Sequence, residues 1–492
     1  MMCEKNEGRS LFFTKKRLSD FFMGVWYPVF IAVLVFLGHA FAIEFYLNFL
    51  VMASVITALL VCDSIRPVIV VLCTYTYQIS IDKTPAIPTF SDYYYTGGRL
   101  FWVLSLFVLC AAAFVYFFIR NKLVTKSSLF ALPMLIPAAV LSLAFLLNGA
   151  FASEWSLASL GYGALQIIPF FLILYVILLG LKNEKSQELL DYFIYVSAVI
   201  AVLLMAQVLH RYITADSLVT GGSVDKEQMV LGWGIWTIVG IEQAVLIPTL
   251  FLGVMRKGGY KSYLYLAVAC LCYVSVIMSM ARNSMVFGTL ALLTCAILCM
   301  FFGKVKKAAR IAVPAGACLV LLAVLVFREP IFKILSDYIT YGFSDNGRYD
   351  LWKYGTSVFL ENPIFGKGFF GIETDTFKAF GFFPQMLHNT PIQLLASMGI
   401  VGLLAYAYYR AVSLKPFFKK PSIEKAMLGL SMLVLILSGL LDNMMFYIQT
   451  MFYYAVTEAV VYKLLYEEDK SLGLAPIKVG ADSADIEVKV NS

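Results

Sequence analysis

Long apolar runs recur from one end of this 492-residue chain to the other, and they constrain its fold more than any other feature. Each is roughly 17 to 25 residues, enough to cross a hydrocarbon core of about 30 Å as a helix. With 61% hydrophobic and only 14% charged residues, the chain carries too little charge to cover a soluble surface of its length, so lipid is its solvent. The predicted fold class is therefore an all-α polytopic membrane protein. Spans are expected near 21–39, 43–62, 67–80, 99–119, 129–148, 162–181, 189–209, 231–254, 262–280, 284–302, 311–327, 391–411, 426–442 and 445–465, about fourteen transmembrane helices in all.

Orientation follows from lysine and arginine, which short cytoplasmic loops retain. If Lys15, Lys16 and Arg17 are inside, then the clusters Arg120/Lys122/Lys126, Lys182/Lys185, Arg256/Lys257/Lys261, Lys304/Lys306/Lys307/Arg310 and Lys415/Lys419/Lys420/Lys425 all follow an even number of crossings. Segments 81–98, 149–161, 210–230 and 328–390 are then extracytoplasmic, and both termini are cytoplasmic. The net charge of +7 is explained by those inside loops facing anionic lipid and requires no nucleic acid. The first apolar run lacks a small-residue cleavage site and reads as a signal anchor.

The expected organisation is a cytoplasmic N-terminus over 1–20, a membrane domain over 21–327 with about eleven spans, an extracytoplasmic loop over 328–390, a second membrane part over 391–465 with about three spans, and a disordered cytoplasmic tail over 466–492. Eight of the nine cysteines fall in or beside predicted spans and Cys3 is cytoplasmic, so neither a disulfide nor a metal site is expected.

The stretch from Arg348 to Gly402 is the longest polar interruption and holds one of the three histidines. Arg348 to Leu360 reads as a short amphipathic helix ending at Glu361-Asn362-Pro363, because proline disfavours helix in the residue before it. Gly366, Gly368 and Gly371 give a loop able to approach a ligand closely. The GKG at 366–368 is not a nucleotide phosphate loop, since the following Ser or Thr and the preceding strand are missing. Phe369, Phe370, Phe377, Phe380, Phe382 and Phe383 either face lipid or sugar, or pack against the bundle.

Ions at the ends or centres of spans are costly and few. Arg282, in SMARNSM, either snorkels to lipid phosphate or binds a phosphate group through its guanidinium fork. Arg348 has the same two readings. Glu242, mid-span, is paired, protonated or lining a wet cavity. Asp442 is a weaker case, equally a turn residue. His388 precedes Asn389 and Pro391, the latter suited to the first turn of the next helix, and an imidazole where the loop re-enters the membrane can take a proton from a hydroxyl. His39 and His210 also lie near outer helix ends without a comparable setting.

Arg348 followed by Trp352, ENPIFGKG at 361–368, HN at 388–389, GIVGLL at 399–404, MARN at 280–283, and LGWG at 231–234 with Pro248 closing that span together resemble blocks of the O-antigen ligase and Wzy-type polymerase superfamily of bacterial envelope enzymes. The resemblance covers the second half of the chain. Where family members often carry asparagines after the GWG block, this chain has Ile235 and Thr237.

That resemblance implies a GT-C-like, inverting, metal-independent glycosyltransferase of the bacterial cytoplasmic membrane, with no cofactor and an extracytoplasmic site. Its donor would be an oligosaccharide on undecaprenyl diphosphate, and its acceptor a glycan or lipid hydroxyl. A flippase and a chain-length regulator are the protein partners such a pathway implies. Carried onto this sequence, Arg282 and Arg348 would hold the diphosphate and His388 would activate the acceptor, with Asn389, Trp352 and Glu242 contributing to substrate binding. Two guanidinium groups in a poorly hydrated cleft suit a developing diphosphate charge, and one base then suffices, unlike the paired carboxylates of glycosidases. A polymerase is favoured over a ligase transferring to lipid A core or protein, because no special recognition module is visible. A transporter of lipid-linked sugars would share the spans but not require a loop joining arginine to histidine.

Overall fold

The computed structural model describes residues 15–78, 98–123, 132–215, 218–220, 223–224, 228–301, 310, 313–314, 347–372 and 386–471. Among them the regular secondary structure is helical except for a hairpin pairing Val219–Thr220 with Ser223–Val224 and an isolated bridge between Val230 and Ile235. Helix α1 (Lys15–Met23) meets α2 (Trp26–Phe41) at a bend of 71°. There follow α3 (Glu44–Val61), α4 (Arg66–Thr74), α5 (Arg99–Arg120), α6 (Leu132–Phe151), α7 (Leu157–Gly180), α8 (Ser186–Thr214), α9 (Trp236–Arg256), α10 (Tyr260–Met278), α11 (Arg282–Phe301), α12 (Arg348–Glu361), α13 (Thr390–Phe418), α14 (Ile423–Ser438) and α15 (Ile448–Ser471).

Among the described residues nine helices are long and apolar enough to span a bilayer, or ten counting the bent α1–α2 pair as one. The chain is thus a polytopic membrane protein, with fewer qualifying helices than the fourteen expected spans. The shortfall has local causes. The expected span at 67–80 contains only the nine residues of α4 before a 3-10 turn at Tyr75–Tyr77. α14 has 16 residues, and α15 carries Glu458 and Lys463 within its apolar stretch. The expected span at 311–327 lies almost wholly outside the described residues, as do Phe377, Phe380, Phe382 and Phe383. α15 continues to Ser471, six residues beyond the expected end of the last span.

Helix α9 is the centre of the bundle: every residue of its apolar window is buried. Small residues let its neighbours approach, as is usual between membrane helices. At Gly253 an added methyl would meet the Tyr265 ring, and at Gly240 it would meet Ser279 and Ser284 of the turn between α10 and α11. α5 is the opposite case, 11% buried, with Phe101, Trp102 and Phe107 turned outward as a lipid-facing helix requires.

Ion pairs tie the basic loops together at one end of the bundle. Arg120 reaches Asp63 at 3.2 Å and Arg66 reaches Glu184 at 2.6 Å, while Arg256 bonds Asp191 at 2.8 Å and Glu424 at 3.5 Å. Fully buried Lys425 donates to the carbonyls of Lys419 and Lys420 and to Glu468. Lys419 and Lys420 share Asp469, whose carboxyl they hold below the usual carboxylate range, Lys420 contributing most. The candidate site lies at the opposite end, where α9, α11 and α13 begin and α14 finishes.

Candidate functional site

The turn before α13 is built by its own side chains. Asn389 caps the helix by accepting the Ile392 N–H at 3.0 Å, and Pro391 occupies the first turn, where its missing N–H costs nothing. Asn389 Nδ2 also donates to the Leu440 carbonyl at 2.8 Å, and the Thr390 N–H to the Gly439 carbonyl at 2.8 Å. Gln393 Oε1 accepts the Leu387 N–H at 2.7 Å. Between these anchors His388 sits at φ 50°, left-handed backbone that a side chain such as imidazole adopts only at some cost. Surroundings that hold a residue in such a conformation mark it as a candidate for function.

His388 Nδ1 lies 3.1 Å from Oδ1 of Asp442, a carboxylate only 1% exposed, while the histidine itself is one-third exposed. The same Asp442 oxygen accepts the Asn443 N–H at 2.8 Å, and the Asp442 carbonyl accepts from Thr390 Oγ1 at 3.2 Å. With Nδ1–H donating to Asp442, Nε2 is left as the basic nitrogen. Asp442 stood in the sequence as a lesser candidate; its pairing with His388 spans 54 residues and has no local signature.

Arg282 opens α11 beside Asn283, whose Nδ2 donates to the Ser438 carbonyl at 3.4 Å. Ser438 ends α14, and the next residues carry the Gly439, Leu440 and Asp442 contacts just described. The half-buried Arg282 and the His388 turn are therefore joined through one segment, 438–443. Ser284 Oγ, two residues after Arg282, donates to the Thr237 carbonyl at 3.2 Å and fastens the same turn to α9.

Arg348 opens α12. One turn on, Leu351 packs in a small cluster with Val358, Ile372, Leu387 and Ala396, with Trp352, Tyr354 and Ile392 at its edge. Gly355 allows the close approach, since a methyl there would come within 2.6 Å of Ile392 and 2.7 Å of Leu387. Leu387 precedes His388, so α12, which Arg348 opens, packs through Leu351 and Gly355 against the residues on either side of His388. Tyr354 donates its hydroxyl to the Ile372 carbonyl at 3.0 Å; burial raises its pKa, with Lys367 opposing. Trp352 Nε1 is buried without a hydrogen-bond partner among the described residues.

Glu242 is not brought to this group. It is 2% exposed and accepts the Tyr77 hydroxyl at 2.8 Å. Gly240 faces the Arg282 turn, and two residues along a helix is a rotation of about 200°, so Glu242 looks the other way. There it joins a buried network in which Trp233 of the LGWG turn donates to Gln207 at 2.9 Å and stacks edge-on against Tyr77 at 4.9 Å. His39 and His210 meet each other, rings 6.1 Å apart.

The fold defines a polytopic membrane protein in which a carboxylate-oriented histidine and the turn of Arg282 are both tied to one segment, 438–443, and the helix opened by Arg348 packs beside the histidine's turn. Residues 265–407, which contain Arg282, Arg348 and His388, match the family model for O-antigen ligase. No curated protein matches the chain.

Proposed function

We propose that the protein is a glycosyltransferase that moves an oligo- or polysaccharide from undecaprenyl diphosphate to an acceptor hydroxyl on the outer face of the bacterial cytoplasmic membrane, acting as a Wzy-type polysaccharide polymerase. The observation carrying this reading is the His388–Asp442 contact within the segment that also anchors the Arg282 turn.

His388 Nε2 takes the proton of the acceptor hydroxyl, and the acceptor oxygen forms a bond to the anomeric carbon from the face opposite the leaving group. The bond from that carbon to the diphosphate oxygen breaks, its electron pair staying on undecaprenyl diphosphate. Arg282 and Arg348 stabilise that charge by fork-like hydrogen bonds. Asp442 acts through His388 as a positioning residue, fixing the tautomer and favouring the imidazolium that forms. Glu242 belongs to the core network and takes no part in this scheme.

The name of the matching family model favours a second reading, a ligase that delivers the finished chain to lipid A core or protein. The lipid-linked pool of a null strain separates the two: single repeat units accumulate if the enzyme polymerises, and long lipid-linked chains accumulate if it ligates. His388→Ala should reproduce the null pool. Normal chain extension and ligation in that variant would end the enzyme reading and favour a transporter.

A further inference from the structure

Helix α13 is broken near its start, and a loop from another part of the chain completes it. Gly399 has φ 62° and ψ −160°, outside helical values. In a continuous helix the carbonyls of Ala396 and Ser397 would accept from Ile400 and Val401. Here Ile400 N donates to the Pro363 carbonyl at 2.8 Å and Val401 N to the Ile364 carbonyl at 3.3 Å, while Ala396 accepts from Lys367 N at 2.9 Å and Ser397 from Gly368 N at 3.0 Å. The ENPIFGKG segment is thus inserted into the hydrogen-bond ladder of α13. Backbone polar groups opened inside a membrane bundle must find such partners. Gly366, at φ 72°, and Gly399 permit the insertion: a methyl on either would run into the backbone of the other segment.

One side chain spans this junction. Asn148 of α6 is 1% exposed, and its Nδ2 donates to the Phe365 carbonyl at 2.7 Å and to the Ser397 carbonyl. Neighbouring residues after α6 extend the contact: Ser153 N donates to the Gly366 carbonyl at 3.2 Å, Glu154 N to the Lys367 carbonyl at 3.3 Å, and Glu154 pairs with Lys367 at 3.1 Å. On one side of the junction the chain leads back into α12 and Arg348. On the other, the first half of α13 carries Asn389 and His388. Neither arm is held by a continuous helix.

We infer that Asn148 is a positioning residue for the transfer reaction, clamping the arm that bears Arg348 and the arm that bears His388 in one register against the membrane domain. The inference rests on the function proposed above. A misplacement of about 1 Å between reacting groups costs about 10²-fold in rate, and the clamp acts on the relative position of base and anion site more than on donor affinity.

The test uses the full-length enzyme in detergent or liposomes with a lipid-linked donor. Asn148→Asp is nearly isosteric but replaces the two-fold donor by an acceptor facing two carbonyl oxygens. The expected result is a fall in kcat of about 10- to 100-fold with KM for the donor changed less than about threefold, both per folded molecule. Asn148→Ser, which keeps one donor, should recover part of kcat, and it serves alone if Asn148→Asp does not fold. Phe251→Leu, in buried α9, supplies a control of comparable thermal destabilisation and should keep its kcat. Unchanged kcat per folded molecule in the Asn148 variants, or loss equal to that of the control, overturns the inference. If His388→Ala abolishes transfer in the same assay while the Asn148 variants keep it, the inference fails and the proposed function stands. If His388→Ala retains transfer, the proposed function itself fails.

Discussion

His388 and Asp442 are 54 residues apart in sequence and 3.1 Å apart in the structure, the imidazole half-buried at the mouth of the site and the carboxylate buried behind it. With Nδ1–H donated to the carboxylate, Nε2 is left as the basic nitrogen. Asp442→Asn keeps the shape but can present an amide N–H to Nδ1, stabilising the wrong tautomer. The kcat for transfer should fall by about 10²- to 10⁴-fold, with donor KM little changed. Steady-state kinetics on the purified variant measure this, and a loss confined to KM would contradict the assigned role.

The backbone at position 388 separates chemistry from folding. Asparagine adopts φ near +50° more readily than most residues, and its amide can still donate to Asp442. His388→Asn should therefore unfold at nearly the wild-type temperature yet transfer nothing. His388→Val places a β-branched residue in left-handed backbone and should lower stability by about 1–2 kcal/mol or more. Thermal unfolding in detergent, run beside the transfer assay, distinguishes the two outcomes.

The helices were the legible part of the fold, because a period-free apolar run of membrane length has few alternatives. Expected spans at 262–280 and 284–302 lie within two residues of α10 and α11. The start of α9 is shifted because the LGWG block forms a turn, Leu231 N donating to the Gly234 carbonyl, before the helix begins at Trp236. The break at Gly399 was not legible: a glycine in an apolar helix is ordinary in membranes, and its partner backbone lies more than thirty residues earlier. Of the site, Arg282, Arg348 and His388 stood out as charged or titratable groups at span ends. Asp442 stood out only as a lesser candidate and Asn148 not at all, since what distinguishes each is a contact with a distant segment. Glu242 drew notice as a buried charge, but burial alone could not tell a substrate cleft from a core network around Tyr77 and Trp233.

In the proposed scheme the arginines hold a diphosphate, which the planar guanidinium grips at two points and an ammonium at one. Arg282→Lys and Arg348→Lys should each keep the positive charge and still lose about 10- to 100-fold in kcat/KM, the worth of one or two charge-assisted hydrogen bonds. In the proposed scheme the charge on the leaving group is met by these residues, so chelators should leave wild-type activity intact. Loss of activity on chelation, with recovery on adding a divalent ion, would move part of that role to a metal.

Glu242 supplies the contrasting case. Its carboxylate is buried in α9, bonded to the Tyr77 hydroxyl at 2.8 Å, and directed away from the Arg282 turn that Gly240 faces. Glu242→Gln preserves the size and an oxygen acceptor for Tyr77, so transfer should stay within about threefold of wild type, too small a change for a group that binds the transition state. Tyr77→Phe removes the hydroxyl donor and leaves a buried carboxylate without it, at a cost of about 1–3 kcal/mol in stability. Kinetics of the first variant and thermal unfolding of the second check the assignment together. A Glu242→Gln enzyme that is as defective as His388→Asn would return Glu242 to the substrate cleft.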